Sequence, residues 1–350
     1  MTKLDDRIAR NRKELERHPP GDAGRAMAFY NLADSLDDRF VETDDIADLD
    51  EAIVLHQAAL DLRPPGHSDR LSSLRDLALC FSDRYNKQGT IADLEEAITL
   101  SRAALDLCPP GQSCRASTLN SLANALGRKF LKFGANGDLD EAISLFQSVL
   151  DLCPESHSNR SMSLYNLALC FSHRYDEQGT TADLEEAITL GRAALELCSP
   201  GHSDRASTLN NLANNLRCRY LESGANDDFD EAISLHRSAL DLCPPGHSDR
   251  SDSLHNLALC FSDRYNKQGT IADLEGAITL GRAASELRPV GHSDRARTLN
   301  NLADDMRLRF LKFGANGDLD EAISLHQSAL DLRPPGHSNQ IGRASCRERV

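Results

Sequence analysis

The chain has 350 residues, of which 40% are hydrophobic and only 5% aromatic, and its formal net charge at pH 7 is −15. A surface this acidic repels phosphate groups, which excludes nucleic acids and anionic membrane surfaces as expected partners. No apolar run approaches the roughly 18 residues that a membrane-spanning helix needs, and no secretory leader is recognisable. We therefore expect a cytoplasmic protein, with the nucleus as the other compatible compartment.

The first predicted element is a short polar helix over residues 1–18. It keeps two apolar residues, Ile8 and Leu15, while most of its other positions are charged. A polar helix of this kind covers the open end of a repeat array. The sequence therefore predicts an N-terminal capping helix, followed by a repetitive region over residues 19–338.

Within that region a 45-residue repeat occurs seven times. The motif DLDEAI at residues 48–53 returns with small changes at regular intervals, and its first residue is Asp48, Asp93, Asp138, Asp183, Asp228, Asp273 and Asp318. A repeat of this length indicates a stacked solenoid, because one repeat alone cannot bury its apolar face. Leu, Ile and Ala fill most apolar positions, which favours an all-α fold.

Each repeat is predicted to form a helical hairpin. In the second repeat, the first helix is expected from Asp69 to about Tyr85, where apolar residues follow helical spacing. The second helix is expected to start at Asp93, whose side chain would be the N-cap and would form a capping box with Glu96. The Pro-Pro-Gly sequence at residues 109–111 would end it.

The apolar pattern of this hairpin resembles the tetratricopeptide repeat. Five residues follow the spacing of that repeat's signatures, W-x2-L-G-x2-Y and A-x3-F: Leu74, Leu77, Ala78, Phe81 and Ala97. The period is 45 residues, whereas the family standard is about 34, so the turns are expected to be longer. The resemblance implies an all-α, TPR-like α-solenoid, a right-handed superhelix of seven helical hairpins.

The repeat motifs and the C-terminal end of the sequence each suggest an alternative function. The DLDEAI and LRPPGHSD segments resemble long arrays of fungal proteins that often precede a caspase-like CHAT domain, so the chain could be a regulatory or sensor arm of a longer protein. Residues 341–350 resemble a translated sequencing adaptor, and we interpret residues 339–350 as a non-native tail. The last hairpin would then lack a polar cap, which predicts end-to-end self-association.

The cysteines and histidines follow the repeat and are interpreted as structural. Most cysteines occupy two helical columns whose members in neighbouring repeats are too far apart for a disulfide, so free thiols are expected. Turn histidines one repeat apart cannot converge on one metal ion: His67, His157, His202, His247, His292 and His337. No catalytic or nucleotide-binding motif is present. We expect no metal, no cofactor and no enzymatic activity.

Asparagines in the first helices form the candidate binding site. In tetratricopeptide arrays the first helices line the concave groove, and side-chain amides there bind the backbone of an extended peptide. An Asn side chain both donates and accepts, as this role requires; the alternative is that these residues are solvated or link helices. The candidate peptide-binding residues are Asn31, Asn120, Asn124, Asn166, Asn210, Asn211, Asn214, Asn256, Asn300 and Asn301. The sequence thus predicts a non-catalytic scaffold for a protein or peptide ligand.

Overall fold

The computed structural model describes residues 3–112, 114–153, 160–292 and 294–332. Within these ranges the chain forms fifteen α-helices and no strand, which confirms the predicted all-α fold. Two compact units are present, an N-terminal unit (Met1–His157) and a C-terminal unit (Ser158–Val350). The predicted tail over 339–350 and the turn histidines His157 and His337 lie outside the described residues.

The N-terminal unit consists of one helix and three helical hairpins. Its helices are α1 (Lys3–Arg17), α2 (Arg25–Thr43), α3 (Ile46–Asp61), α4 (Arg70–Gln88), α5 (Ile91–Asp106), α6 (Cys114–Phe133) and α7 (Asn136–Leu152). The C-terminal unit consists of four hairpins. Its helices are α8 (Arg160–Gln178), α9 (Thr181–Leu197), α10 (Arg205–Ser223), α11 (Asn226–Asp241), α12 (Arg250–Gln268), α13 (Ile271–Leu287), α14 (Arg295–Phe313) and α15 (Asn316–Asp331). Even-numbered helices are the first helices of their hairpins, and odd-numbered helices from α3 onward are the second helices.

A small repeated set of residues holds each hairpin together. Leu49, Ala52 and Ala59 of α3 are completely buried, as are Ala97 and Ala104 at equivalent positions of α5. Alanine at these positions lets the two helices of a hairpin lie close together, since interaxial distance depends on the side chains at the contact. The core of each unit therefore continues from one hairpin to the next.

The first helices extend further than predicted. α4 begins at Arg70 and runs to Gln88, about one turn beyond Tyr85. It ends because Gly89 adopts a left-handed conformation with φ of 68°, and the Gly89 amide donates to the carbonyl oxygen of Tyr85 at 2.7 Å. A glycine in this position is a common helix C-cap.

The capping-box interpretation of the second helices is wrong. α5 begins at Ile91 after the N-cap residue Thr90, whose side chain makes no capping hydrogen bond. Asp93 therefore lies inside the first turn, where it is buried and accepts hydrogen bonds from Arg84. The repeated Asp serves an ion pair with the preceding helix instead of a cap.

The expectation of free thiols is wrong at one turn. Cys108 and Cys114 form a disulfide, with their Cα atoms 6.7 Å apart. The sequence argument compared residues one repeat apart, whereas these two cysteines are six positions apart on either side of a single turn. Four cysteines at other described positions have free, buried thiols, as expected: Cys80, Cys170, Cys198 and Cys243.

Candidate peptide-binding site

An ion pair orients the second helix of most hairpins. In the hairpin of α8 and α9, Arg174 donates from Nε and Nη2 to the two carboxylate oxygens of Asp183, at 3.0 and 2.7 Å. The same paired contact occurs in five other hairpins: Arg39–Asp48, Arg84–Asp93, Arg219–Asp228, Arg264–Asp273 and Arg309–Asp318. In the seventh described hairpin, Lys129 approaches Asp138 at 3.3 Å.

This pairing bears on the site because it restricts rotation of one helix against the other. A bidentate arginine–carboxylate contact is directional as well as favourable. It therefore helps to determine which face of each first helix remains open. The sequence contained the signal, since the repeated Arg and the repeated Asp are always nine positions apart.

Buried polar contacts link neighbouring first helices in the C-terminal unit. Asn210 of α10 donates from Nδ2 to Ser253 Oγ of α12 at 2.9 Å. The contacts in the same direction along the array are Ser172 Oγ to Asn215 Oδ1 at 2.9 Å and Ser262 Oγ to Asp305 Oδ2 at 2.7 Å. Because a buried polar group without a partner is costly, these contacts favour one alignment of the first helices. Sequence reasoning did not identify them.

A buried ion pair and a histidine lie beside these contacts. Arg217 Nε donates to Asp263 Oδ2 at 2.5 Å, and both side chains are buried. His236 of α11 lies 2.9 Å from Asn210 Oδ1 through its Nδ1 atom. Burial, and next the charge of Arg217, lower the pKa of His236 to about 3. Because Asn210 Oδ1 can only accept, the neutral ring carries its proton on Nδ1.

Two of the candidate asparagines link helices within the fold. Asn210 is buried, and both ends of its amide are occupied by Ser253 and His236. Asn300 is half-buried, and its Oδ1 atom lies 3.2 Å from His326 Nδ1. These two positions fit the helix-linking alternative stated above.

Four other candidates lie on the first helices of the C-terminal unit with amides that are open or weakly bonded. Asn211, Asn256 and Asn301 occupy one column of the repeat on α10, α12 and α14, and Asn214 lies one turn beyond Asn211. All four are half-buried. The side chains of Asn214, Asn256 and Asn301 make no hydrogen bond with the described part of the chain, and Asn211 Oδ1 accepts a long bond of 3.4 Å from Asn215. We call these four residues the amide column.

The remaining candidates are more scattered. Asn120 of α6 is half-buried, and its Oδ1 atom has no hydrogen-bond partner among the described residues. Asn124 of α6 and Asn166 of α8 are half-buried and belong to different units. Asn31 of α2 is exposed, and it lines a cleft between α1 and α2. Among the described residues, the amide column is therefore the group of candidates that recurs on successive first helices.

No cluster of three or more His, Cys, Asp or Glu side chains suited to a metal ion occurs within residues 3–112, 114–153, 160–292 and 294–332. Over the same residues, no helix combines the length and apolarity needed to cross a bilayer.

Comparison with known proteins identifies the repeat. The family model described as tetratricopeptide repeat matches residues 205–249, a segment that contains α10 and α11. No curated protein sequence matches the chain.

Three solved structures illustrate the similarity of the fold. Human IFIT1, in a dimer with PPP-AAAA, is 15% identical over 94% of this chain and 68% of its own, with a TM-score of 0.46. BtubC from P. vanneervenii is 18% identical over 73% of this chain and 95% of its own, with a TM-score of 0.47. A tetratricopeptide repeat protein from Parabacteroides merdae is 16% identical over 85% of this chain and 98% of its own, with a TM-score of 0.46. Likeness at this level says nothing about what the chain binds.

Proposed function

We propose that the chain is a non-catalytic protein-interaction scaffold, because residues 205–249 match the tetratricopeptide-repeat model and the described chain is built from helical hairpins. Its ligand is an extended peptide segment that lies across the first helices of the C-terminal unit. The amide column supports this proposal most directly. Side chains that can donate and accept at once recur there on three successive first helices, and three of them form no hydrogen bond within the described chain.

The spacing of the amide column suits an extended backbone. Packed helices lie about 8–10 Å apart, and an extended chain advances about 3.3 Å per residue. An extended peptide would therefore advance about three residues between one amide of the column and the next, and would contact Asn211, Asn256 and Asn301 in turn. Main-chain recognition of this kind tolerates different peptide sequences, because every residue offers the same N–H and C=O groups.

The charge of the chain indicates which peptides would be favoured. The net charge is −15, and Asp304 lies near the C-terminal end of the column on α14. An acidic surface accelerates the approach of a basic partner and disfavours an acidic one. The preferred ligand is accordingly an extended segment with an excess of Lys and Arg.

The test compares two triple variants that change the same residue type. Peptides would be selected from a displayed random library on the wild-type chain, and one binder would then be titrated against each variant by calorimetry. Replacement of Asn211, Asn214 and Asn256 by Ala removes three column amides. Replacement of Asn136, Asn226 and Asn316 by Ala removes three exposed amides at the starts of second helices.

Each lost amide contact is worth about 0.5–1.5 kcal/mol, so the column variant should bind about one to three orders of magnitude more weakly if the effects add. The control variant should bind as wild type does. Circular dichroism should show the same helix content in all three proteins. Equal affinities of the two variants, with helicity intact, would contradict the proposed site.

A second candidate function is self-association through α15. Ile323 and Leu330 of α15 are 60% and 59% exposed. At the position of Ile323 in the two preceding second helices, Ile278 and Ile233 are buried, and Leu240 at the position of Leu330 is half-buried. Sedimentation velocity would compare the wild type with the double variant Ile323→Lys and Leu330→Lys. We expect the wild type to form larger species as concentration rises and the variant to remain monomeric. A wild type that stays monomeric throughout would exclude this function.

A further inference from the structure

A cleft of about 650 Å³ lies between α1 and α2 in the N-terminal unit. Four basic side chains of α1 line it, against the acidic Glu14 and Asp34: Arg7, Arg10, Lys13 and Arg17. This excess of positive charge is unusual in a chain whose net charge is −15. Two of the four bases are ion-paired, Arg7 with Asp38 and Arg17 with Glu14, so Arg10 and Lys13 carry the uncompensated charge of the cleft.

The position of α1 in the repeat explains the shape of the cleft. Ile8 lies 45 positions before Ile53, and both are buried. Leu15 likewise lies 45 positions before Leu60, and the Pro-Pro-Gly sequence after α1 matches the one after α3. α1 thus occupies the position of a second helix, directly before the first helix α2.

The α1 wall of the cleft corresponds to a surface that is covered in other hairpins. Arg7 and Glu14 of α1 align with Ala52 and Ala59 of α3. Those alanines are completely buried in the hairpin that α3 forms with α2. In α1, the same positions carry charged side chains that line the cleft.

The α2 wall shows the same correspondence. Asn31 and Ser35 of α2 line the cleft, and they align with Asp76 and Cys80 of α4. In α4 these residues face the preceding first helix, because Tyr30 Oη donates to Asp76 Oδ2 at 2.5 Å and Cys80 Sγ lies 3.7 Å from an Asp37 oxygen. Both walls thus align with surfaces that a first helix covers elsewhere in the array. Ser35 itself is buried and accepts a hydrogen bond from Asn11 Nδ2 of α1, so it forms the floor of the cleft.

We propose that this cleft is a docking site for an acidic helix of a partner protein, which would lie where a first helix lies in the other hairpins. Two basic residues are available to it: Arg10 and Lys13 are exposed and form no ion pair within the described chain. They lie three positions apart, with Arg17 one further turn along α1. Carboxylates at the same helical spacing on a partner helix would meet them. Arg and Glu in place of the buried alanines exclude an apolar helix.

The test uses a helical peptide derived from this chain. The 19-residue sequence of α4 is synthesised with its four basic residues replaced by Glu, and a matched peptide carries Gln at those positions. Fluorescence anisotropy would measure binding of each peptide to the full chain. The Glu peptide is expected to bind saturably and more tightly than the Gln peptide, with the difference shrinking at high salt because the Debye length falls.

Paired charge variants then locate the site. Arg10→Gln with Lys13→Gln removes two charges inside the cleft, and Lys3→Gln with Arg12→Gln removes two charges of α1 that do not line it. The cleft variant should bind the Glu peptide roughly threefold to tenfold more weakly, since each partly exposed pair contributes modestly. The control variant should change binding less than twofold.

Three results would overturn the proposal. They are equal binding of the two peptides, equal effects of the two double variants, and displacement of the Glu peptide by millimolar inorganic phosphate, which would indicate a site for small anions. The amide-column variant Asn211→Ala with Asn214→Ala and Asn256→Ala should leave this binding unchanged, so failure of one site is distinguishable from failure of the other.

Discussion

His236 should make the stability of the C-terminal unit sensitive to acid. Burial, and next the charge of Arg217, lower its pKa to about 3 in the folded chain, whereas an unfolded chain has a His pKa of about 6.5. Between these two values the unfolded chain binds a proton that the folded chain does not. The contribution of the neutral buried ring is therefore fully present above about pH 6.5 and is lost progressively as the pH falls toward 3.

The expected magnitude follows from this one proton. The free energy of unfolding should fall by about 1.4 kcal/mol for each pH unit below 6.5, so that roughly 3 kcal/mol is lost by pH 4.5. The informative substitution is His236→Phe, because Phe146 is buried at the same column of the repeat in α7. The variant leaves Asn210 Oδ1 without its partner, which costs about 1–3 kcal/mol at pH 7. It should consequently be less stable at neutral pH but lose less stability in acid.

Amide hydrogen exchange monitored by mass spectrometry is the appropriate assay, because helical repeats can open locally without global unfolding. Exchange in α10, α11 and α12 would be compared at pH 7 and pH 4.5 after correction for intrinsic rates. The control is His326→Phe, which alters the same column in α15, where the ring is 43% exposed. If wild type and His236→Phe lose the same protection between the two pH values, the assignment of acid sensitivity to His236 is wrong.

Two further substitutions test the packing of single hairpins. Ser285→Leu should slow amide exchange in α13 relative to α9 and stabilise the hairpin by about 1 kcal/mol, because Leu195 at the equivalent position of α9 is partly buried against the core. Unchanged exchange would show that a side chain at this position contributes no packing. In urea unfolding, Arg84→Ala should lower the free energy of unfolding by about 2–3 kcal/mol, because it leaves the Asp93 carboxylate, which is 4% exposed, without its partner. Asp93→Ala should lower it by only about 1 kcal/mol, because the Arg84 guanidinium that it leaves is 24% exposed and can be solvated. Equal losses would contradict this asymmetry.

The hairpin architecture could be predicted because it depends on local and periodic features. The apolar spacing from Leu74 to Phe81 sufficed for a first helix, and its extension to Gln88 required only recognition of Gly89 as a C-cap. The role of Asp93 could not be decided in the same way. An acid near a helix start is compatible with a cap or with a first-turn position, and the choice depends on Arg84 in the other helix.

The candidate site was harder to predict than the fold. Asn210 and Asn211 are neighbours in sequence, and their side chains point in directions about 100° apart around the helix axis. The sequence alone does not determine which of them faces α11. The structure turns Asn210 toward His236 and leaves Asn211 half-buried. The disulfide between Cys108 and Cys114 was missed for a similar reason, because the repeat predicts contacts between columns better than contacts across one turn.

The second helices of the C-terminal unit differ at one position, and this difference explains why both kinds of asparagine occur together. In two hairpins of the C-terminal unit the second helix carries a histidine, His236 or His326, and the first helix supplies an amide to it from Asn210 or Asn300. In α9 the same position is Gly191. A Cβ atom there would lie 3.4 Å from Leu212 of the next first helix, so Leu212 occupies the space that the histidine side chain fills in α11 and α15.

Asn210 and Asn300 therefore bond with histidines within the fold, whereas the amide column is the surface that we propose for the peptide. One variant can therefore test whether stability and peptide binding depend on different asparagines. His236→Phe disturbs Asn210 but not Asn211, so it should weaken the C-terminal unit in unfolding experiments while leaving peptide affinity at neutral pH unchanged. A parallel loss of both would mean that Asn210, rather than the amide column, holds the peptide.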